Sequence, residues 1–231
     1  MSQQMLDLGD VERRFVAVES EDAALPLLRI EKRASKDSDT EQQFIVGYAA
    51  RFGVDSLAGA VGDFTERIDP RAFGIVSERR GRKNPLMTRA LFNHDSNMPL
   101  ARYPDTLSLT VDDIGLRYEF QVPDTTYGRD LASNIEAGIV RGSSFSFQIA
   151  PGGESWSVEE GRSVRTVTKI DTLIDVGPVT YPAYDATTTG LRSEELAEVR
   201  SKRDEWKRAQ AKPGPTLLAQ AEAKQRLAKL W

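Results

Sequence analysis

The stretch Ser143-Ser-Phe-Ser-Phe-Gln-Ile149 alternates polar and apolar side chains with the period of two that is typical of a β-strand. Its apolar face would carry Phe145, Phe147 and Ile149, and its polar face Ser144, Ser146 and Gln148. Gly142 and Ser143 predict a tight turn that opens into this strand. We therefore expect a core strand whose opposite face presents serine hydroxyl groups.

Further short strands are predicted on both sides of this stretch. They are the runs Phe44–Phe52, Leu107–Val111, Leu116–Val122, Ser163–Ile170 and Leu173–Val176, with Asp112–Gly115 as a hairpin turn between the second and third. One helix interrupts them. Thr125 or Thr126 can cap its start, Leu131, Ile135 and Ile139 recur on one face, and Gly142 is placed to end it. This order predicts a β-rich α+β fold.

The chain divides into three parts by its patterning. Residues 1–43 hold one strand-like run, Arg14–Glu19, and a polar stretch, Lys32–Gln43, which predicts a loop or disorder. Residues 44–192 form the strand-rich domain. Residues 193–231 predict a helical tail, in which Ser193 caps a charged helix and Pro213-Gly-Pro215 ends it. We expect this tail to lie outside the core of the domain.

Composition excludes several classes of protein. The 31 basic and 35 acidic side chains give a net charge of -4, which argues against a protein whose main task is to bind nucleic acid. No apolar run approaches the ~20 residues that cross a bilayer, and the start lacks the regions of a signal peptide. There is no cysteine and one histidine, so neither a disulfide framework nor a metal or cofactor site is expected. A cytosolic setting follows.

The single histidine, His94, ends the run Arg89-Ala-Leu-Phe-Asn-His-Asp95. Histidine, with an ordinary pKa of roughly 6.5, can accept and return a proton near neutral pH. A serine hydroxyl needs such a base before it becomes a nucleophile. If the phenylalanine face is buried, Ser144 points towards the surface that His94 lines, and N–H groups of Gly142 and Ser143 could meet an oxyanion. The alternative is that the serines are ordinary strand residues and that Asp95 satisfies a loop histidine.

Five stretches follow one another in an order that resembles a known family. They are Gly47–Phe52, Glu66–Phe73, Leu91–Asp95, Gly138–Phe147 and Leu173–Tyr184. Together they resemble the prohead proteases of tailed bacteriophages, which are capsid-maturation serine proteases distantly related to the herpesvirus assemblins. The resemblance implies an assemblin-like small β-barrel or curved sheet flanked by a few helices. It also implies that His94 is the base and Ser144 the nucleophile.

The chain departs from the family pattern in two places that bear on the site. It has Phe145-Ser-Phe147 where Phe-Gly-Phe is common, and Asp175-Val-Gly177 where Glu-Val-Ser is common. Assemblins use a second histidine as the third catalytic group, which this chain lacks. Asp175 matches the acidic position and is the predicted third member, with capping or an arginine pair as its structural alternative. Asp95 ranks second, because neighbours on an extended chain point in opposite directions.

The resemblance implies a function and its partners. It implies a serine endopeptidase that works inside the procapsid, in the host cytoplasm, and cleaves scaffolding segments of the major capsid protein and itself. Self-association is expected, without a membrane or a specific nucleic acid as partner. Two alternatives stay open: an inactive scaffold or capsid-assembly protein with the same fold, and a nucleic-acid-binding module that uses Arg79–Lys83.

Overall fold

A computed structural model describes residues 11–16, 28–34, 41–54, 64–78, 87–181 and 189–211. The cationic run Arg79–Lys83 and the segment after Ala211 lie outside the described residues, as do residues 17–19 of the first predicted strand. The chain separates into two compact units, Met1–Thr188 and Thr189–Trp231.

The first unit is built mainly from strands. The strands are β1 (Glu12–Val16), β2 (Leu28–Ala34), β3 (Glu41–Arg51), β4 (Phe64–Ile68), β5 (Arg89–Leu91), β6 (Pro99–Arg102), β7 (Ser108–Val111), β8 (Gly115–Gln121), β9 (Gly142–Ile149), β10 (Glu154–Glu159), β11 (Arg162–Val167) and β12 (Ile170–Val179). A 3₁₀ turn at Pro70–Phe73 leads into the short helix α1 (Gly74–Glu78), and α2 spans Thr126–Glu136.

The described strands form three sheets. The first has the order β1-β9-β12-β5-β6, the second β2-β3-β8-β7, and the third β10-β11-β4. In the first sheet β9 runs antiparallel to both β1 and β12, whereas β12 runs parallel to β5. Phe145 and Phe147 of β9 are buried in the hydrophobic core, as the alternation of that stretch predicts.

The predicted β-rich class is confirmed, whereas a closed barrel is not seen among the described strands. Within the described ranges, the outer strands of the first sheet, β1 and β6, pair with inner neighbours only, so the ladder seen there does not close on itself. Strands β2, β4, β5, β6 and β10 were not predicted. β5 and β6 are only three and four residues long, which is too short for a clear alternation.

The predicted hairpin turn between β7 and β8 is confirmed. The two ends of the polar stretch Lys32–Gln43 are strands and not the loop that its composition predicts, and residues 35–40 lie outside the described residues. Its first residues complete β2 and its last three begin β3, and the two strands pair from Leu28↔Gly47 to Ala34↔Glu41. In these strands, ion pairs between side chains on different strands stabilise the sheet in place of buried apolar side chains. Arg33 donates to Glu119 of β8 at 2.5 Å, and this hydrogen bond lowers the pKa of Glu119 to about 2.

Helix α2 begins as predicted and ends earlier. The Thr125 hydroxyl caps it by accepting from the Gly128 N–H. The helix stops at Glu136 because Gly138 adopts the left-handed conformation, with φ of 69°. Ile139 therefore leaves the buried face and is 64% exposed, while Gly142, predicted to end the helix, begins β9.

The second unit contains the helix α3, which spans Thr189–Ala211. The predicted start at Ser193 is wrong by one turn. Serine is compatible with both the cap and the first turns of a helix, so the sequence does not separate the two. Within the helix, Glu198 and Lys202 form an i,i+4 ion pair, with 2.6 Å between Oε1 and Nζ. Within the part of the chain described here, no helix is long and apolar enough to cross a membrane.

Candidate active site

Ser144 lies on β9 and is fully buried. The alternation of the strand separates it from Phe145 and Phe147 and places it on the same face as Ser146. On one side its cross-strand partner is Gly177 of β12, and on the other it is Phe15 of β1. The nucleophile predicted from the sequence therefore sits inside a sheet rather than on a loop.

His94 is held by a turn that follows β5. Asn93 and His94 have φ of 55° and 58°, a left-handed conformation that asparagine tolerates better than most residues. The turn is tied to the end of β12, because the Asn93 N–H donates to the Pro178 carbonyl at 3.0 Å and the Thr180 N–H donates to Asn93 Oδ1 at 2.8 Å. This anchoring directs the imidazole towards β12 and β9.

The structure brings the three predicted residues together. His94 Nε2 lies 2.6 Å from Ser144 Oγ, and His94 Nδ1 lies 2.5 Å from Asp175 Oδ1. Asp175 is buried on β12, which is the strand between β9 and β5. The imidazole thus bridges a hydroxyl and a carboxylate, the arrangement in which a base can activate a nucleophile while a third group orients the base.

Gly177 allows the histidine turn to approach this closely. A Cβ on Gly177 would stand 2.1 Å from the carbonyl oxygen of Leu91, far inside van der Waals contact. The residue also has φ of 156°, which side chains rarely adopt. Gly177 therefore lets the end of β5, and with it His94, pack against β12.

Asp95, ranked second at the sequence level, has a different place. Its carboxylate accepts from the main-chain N–H and the side-chain amide of Asn97, at 2.8 and 2.9 Å. The Asp95 N–H donates to Phe92 O and the Met98 N–H donates to Asp95 O, so this segment is a turn and not the extended chain that was expected. Asp95 closes the turn, and Asp175 is the carboxylate brought to His94 Nδ1.

Ser146 also lies next to the imidazole, and the sequence indicated no role for this serine. Its Oγ lies 3.1 Å from His94 Nδ1, and it is the cross-strand partner of Asp175. The alternation of β9 already placed Ser146 beside Ser144 on the polar face. The sequence did not indicate where along that face the histidine ring lies.

Ser143 faces away from the imidazole and is buried against β8. Its hydroxyl shares a hydrogen bond of 2.8 Å with the Tyr118 hydroxyl, whose pKa burial raises. The tight turn predicted at Gly142 and Ser143 is wrong, because both residues are part of β9 and pair with Val179 and Pro178 of β12. An oxyanion donor built on such a turn is therefore not supported.

The described strands and this Ser–His–Asp contact define a β-rich protein with the side chains of a serine hydrolase. The family model of the caudovirus prohead serine proteases matches residues 29–202, and the chain belongs to that family. Among solved structures, the capsid assembly protease of bacteriophage T4 is similar at 14% identity, with a TM-score of 0.36, over 74% of this chain and 99% of that chain. No curated protein matches the chain.

Proposed function

We propose that this protein is the serine endopeptidase of a phage procapsid, cleaving scaffolding segments of the capsid protein, and itself, during head maturation. Membership of the prohead serine protease family supports the class of reaction and the place where it occurs. The observation that carries the assignment of residues is the imidazole of His94 between Ser144 Oγ and Asp175 Oδ1.

In the proposed resting state, the neutral His94 donates a hydrogen bond from Nδ1–H to Asp175 and accepts a hydrogen bond from the Ser144 hydroxyl at Nε2. Ser144 Oγ attacks the carbonyl carbon of the scissile peptide as its proton passes to His94. Asp175 stays ionised and stabilises the imidazolium that forms. His94 then gives the proton to the leaving amine, and the amine departs with the acyl group left on Ser144.

The second half of the reaction uses the same groups in the same order. Water enters, His94 takes a proton from it, and the resulting hydroxide attacks the acyl carbon. The ester bond to Ser144 breaks and the serine recovers its proton from His94. The oxyanion of each tetrahedral intermediate needs N–H donors close to the reacting carbonyl.

The proposal extends to the organisation of the chain. Residues 44–192 would form the protease domain and residues 193–231 a helical tail used in packaging or self-cleavage. The partner is the major capsid protein or its scaffolding segment, reached inside the procapsid, and the enzyme self-associates there.

The test is co-expression of the protein with its capsid protein, followed by intact-mass spectrometry of both chains. Wild type is expected to give defined cleavage products, and Ser144→Ala to leave both chains at full length. Loss of a triad nucleophile costs about 10⁶ in rate, far beyond the detection range of such an assay.

Ser143→Ala is the matched control, because it removes the neighbouring hydroxyl from the same strand. It leaves the Tyr118 hydroxyl without this partner and so costs about 1–3 kcal/mol of stability, which thermal unfolding reports. Cleavage is expected to persist in it. Products that are unchanged in Ser144→Ala would refute the assignment, and full-length chains from the wild type as well would favour an inactive assembly protein.

A further inference from the structure

Strand β1 covers the edge of β9 that carries the proposed nucleophile. The two strands pair antiparallel over five residues, from Glu12↔Phe147 to Val16↔Ser143. Among the strands that the structure describes, β1 is the outermost of its sheet and β9 the next, so β1 occupies the place beside Ser144 where an extended peptide would pair. Ser144 has no exposed surface in this arrangement.

The main chain of β1 also competes for the proton of the nucleophile. The carbonyl oxygen of Arg14 lies 2.9 Å from Ser144 Oγ, which is 2.6 Å from His94 Nε2. A serine hydroxyl has one proton, so it donates either to the Arg14 carbonyl or to His94. Only the second donation leads to attack on a substrate.

The side chains of β1 anchor the strand from the face opposite the site. The Glu12 carboxylate accepts two hydrogen bonds from Arg165, at 2.7 and 2.8 Å, and the Arg14 guanidinium donates to Glu66 at 2.8 Å. Arg165 and Glu66 are fully buried, and Arg165 also donates to Glu154 at 2.6 Å. This buried ion cluster joins β1 to β4, β10 and β11 of the third sheet.

The anchor is therefore separate from the chemistry that it covers. Glu12 and Arg14 project from one face of β1, whereas the Arg14 carbonyl meets Ser144 in the plane of the sheet. A change at Glu12 weakens the hold on β1 without touching Ser144, His94 or Asp175.

We infer that the β9 edge from Gly142 to Phe147 is the docking surface for the extended peptide that is cut, and that β1 is its internal occupant, which leaves before Ser144 acts. The partner of this surface is a peptide strand that pairs antiparallel with β9, as β1 does. The inference rests on the proposed function of Ser144. Because β1 and the substrate compete for the same edge, the protease would stay inactive until a substrate segment displaces β1.

The test uses the full chain with a recognition sequence for a site-specific protease inserted between residues 20 and 21, after β1. The protein is cut, the released N-terminal peptide is removed, and the rate at which a fluorophosphonate labels Ser144 is measured by peptide mass spectrometry. The uncut protein is the control. If the uncovered state is populated at about 0.1–10% in the intact protein, labelling accelerates by about 10- to 1,000-fold.

A synthetic peptide of residues 1–20, added back, is expected to restore slow labelling, whereas a scrambled peptide is not. Equal rates before and after loss of β1, or loss of the folded circular dichroism spectrum on its removal, would overturn the inference by showing that β1 is not a displaceable occupant. Absence of labelling at Ser144 in every sample would instead refute the proposed function, so the two failures are distinguishable.

A pair of glutamate substitutions in the uncut chain provides a second measurement. Glu12→Gln removes the carboxylate that binds Arg165 and is expected to accelerate labelling of Ser144 by about tenfold or more. Glu159→Gln is the matched control, because it removes an exposed carboxylate that pairs with Arg67 in the third sheet. Equal labelling of Glu12→Gln and Glu159→Gln would contradict the anchoring role.

Discussion

Replacing Asp175 by asparagine tests how the site orients and stabilises its base. The carboxylate is buried, and Oδ1 lies 2.5 Å from His94 Nδ1. The substitution keeps the shape of the side chain and removes its charge. It also supplies an amide N–H that can donate to Nδ1, which would leave the ring proton on Nε2, where the Ser144 hydroxyl needs an acceptor.

The expected loss follows from these two effects. Two unit charges about 4 Å apart attract by about 4 kcal/mol at the effective dielectric constant of about 20 that suits such sites. Removing that stabilisation of the imidazolium from the transition state lowers the rate by about a thousandfold. With the wrong tautomer added, we expect kcat/KM to fall by about 10³–10⁴, the scale of the same change in other Ser-His-Asp enzymes.

The assay is the initial rate of capsid-protein cleavage by purified Asp175→Asn, with thermal unfolding to show that the protein is folded. Asp95→Asn is the matched control, because the Asp95 carboxylate accepts from Asn97 within its turn and an asparagine oxygen can do the same. Its activity is expected to stay within a few fold of wild type. A rate for Asp175→Asn within tenfold of wild type, or a larger loss in Asp95→Asn, would refute the assignment of Asp175.

Three further predictions concern the surroundings of the same base. His94→Ala is expected to abolish activity, because the Ser144 hydroxyl loses the base that lies 2.6 Å from it; comparable processing by that variant would contradict the role of the base. Ser146→Ala removes a hydroxyl 3.1 Å from His94 Nδ1 but leaves Asp175 in place, so we expect less than about a tenfold loss in kcat/KM; complete inactivation would place the essential hydroxyl at Ser146. Gly177→Ala forces a Cβ against the Leu91 carbonyl, and we expect about 1–3 kcal/mol of lost stability and a slower enzyme; a variant that unfolds and cleaves like wild type would disprove this close approach.

Local sequence patterns predicted the strand that carries Ser144 and the elements around it. The alternation over Ser143–Ile149 identified which serines share a face, because that information lies in the spacing of neighbouring residues. The Asp112–Gly115 hairpin and the Thr125 cap were predictable for the same reason, since each depends on a few consecutive side chains.

Features that depend on distant parts of the chain were not predictable in this way. The left-handed turn at Asn93 and His94 is stabilised by Pro178 and Thr180, which are more than eighty residues away. The charges of Lys32–Gln43 suggested a loop because their partners, such as Glu119, lie on another strand.

The buried ion cluster was even harder to predict from local sequence patterns. In the sequence, Glu12, Glu66 and Arg165 look like separate solvated charges, yet the structure brings their side chains together. The family resemblance, by contrast, led to Asp175, which sequence spacing alone could not connect with His94.

The most direct test of the central claim is the site of covalent modification by a fluorophosphonate in the full-length protein. Peptide mass spectrometry of the labelled wild type should place the adduct on Ser144. Labelling should persist in Ser143→Ala and Ser146→Ala and disappear in Ser144→Ala and His94→Ala. An adduct on Ser143 or Ser146, or labelling of Ser144 that is unchanged when His94 is replaced, would contradict the account.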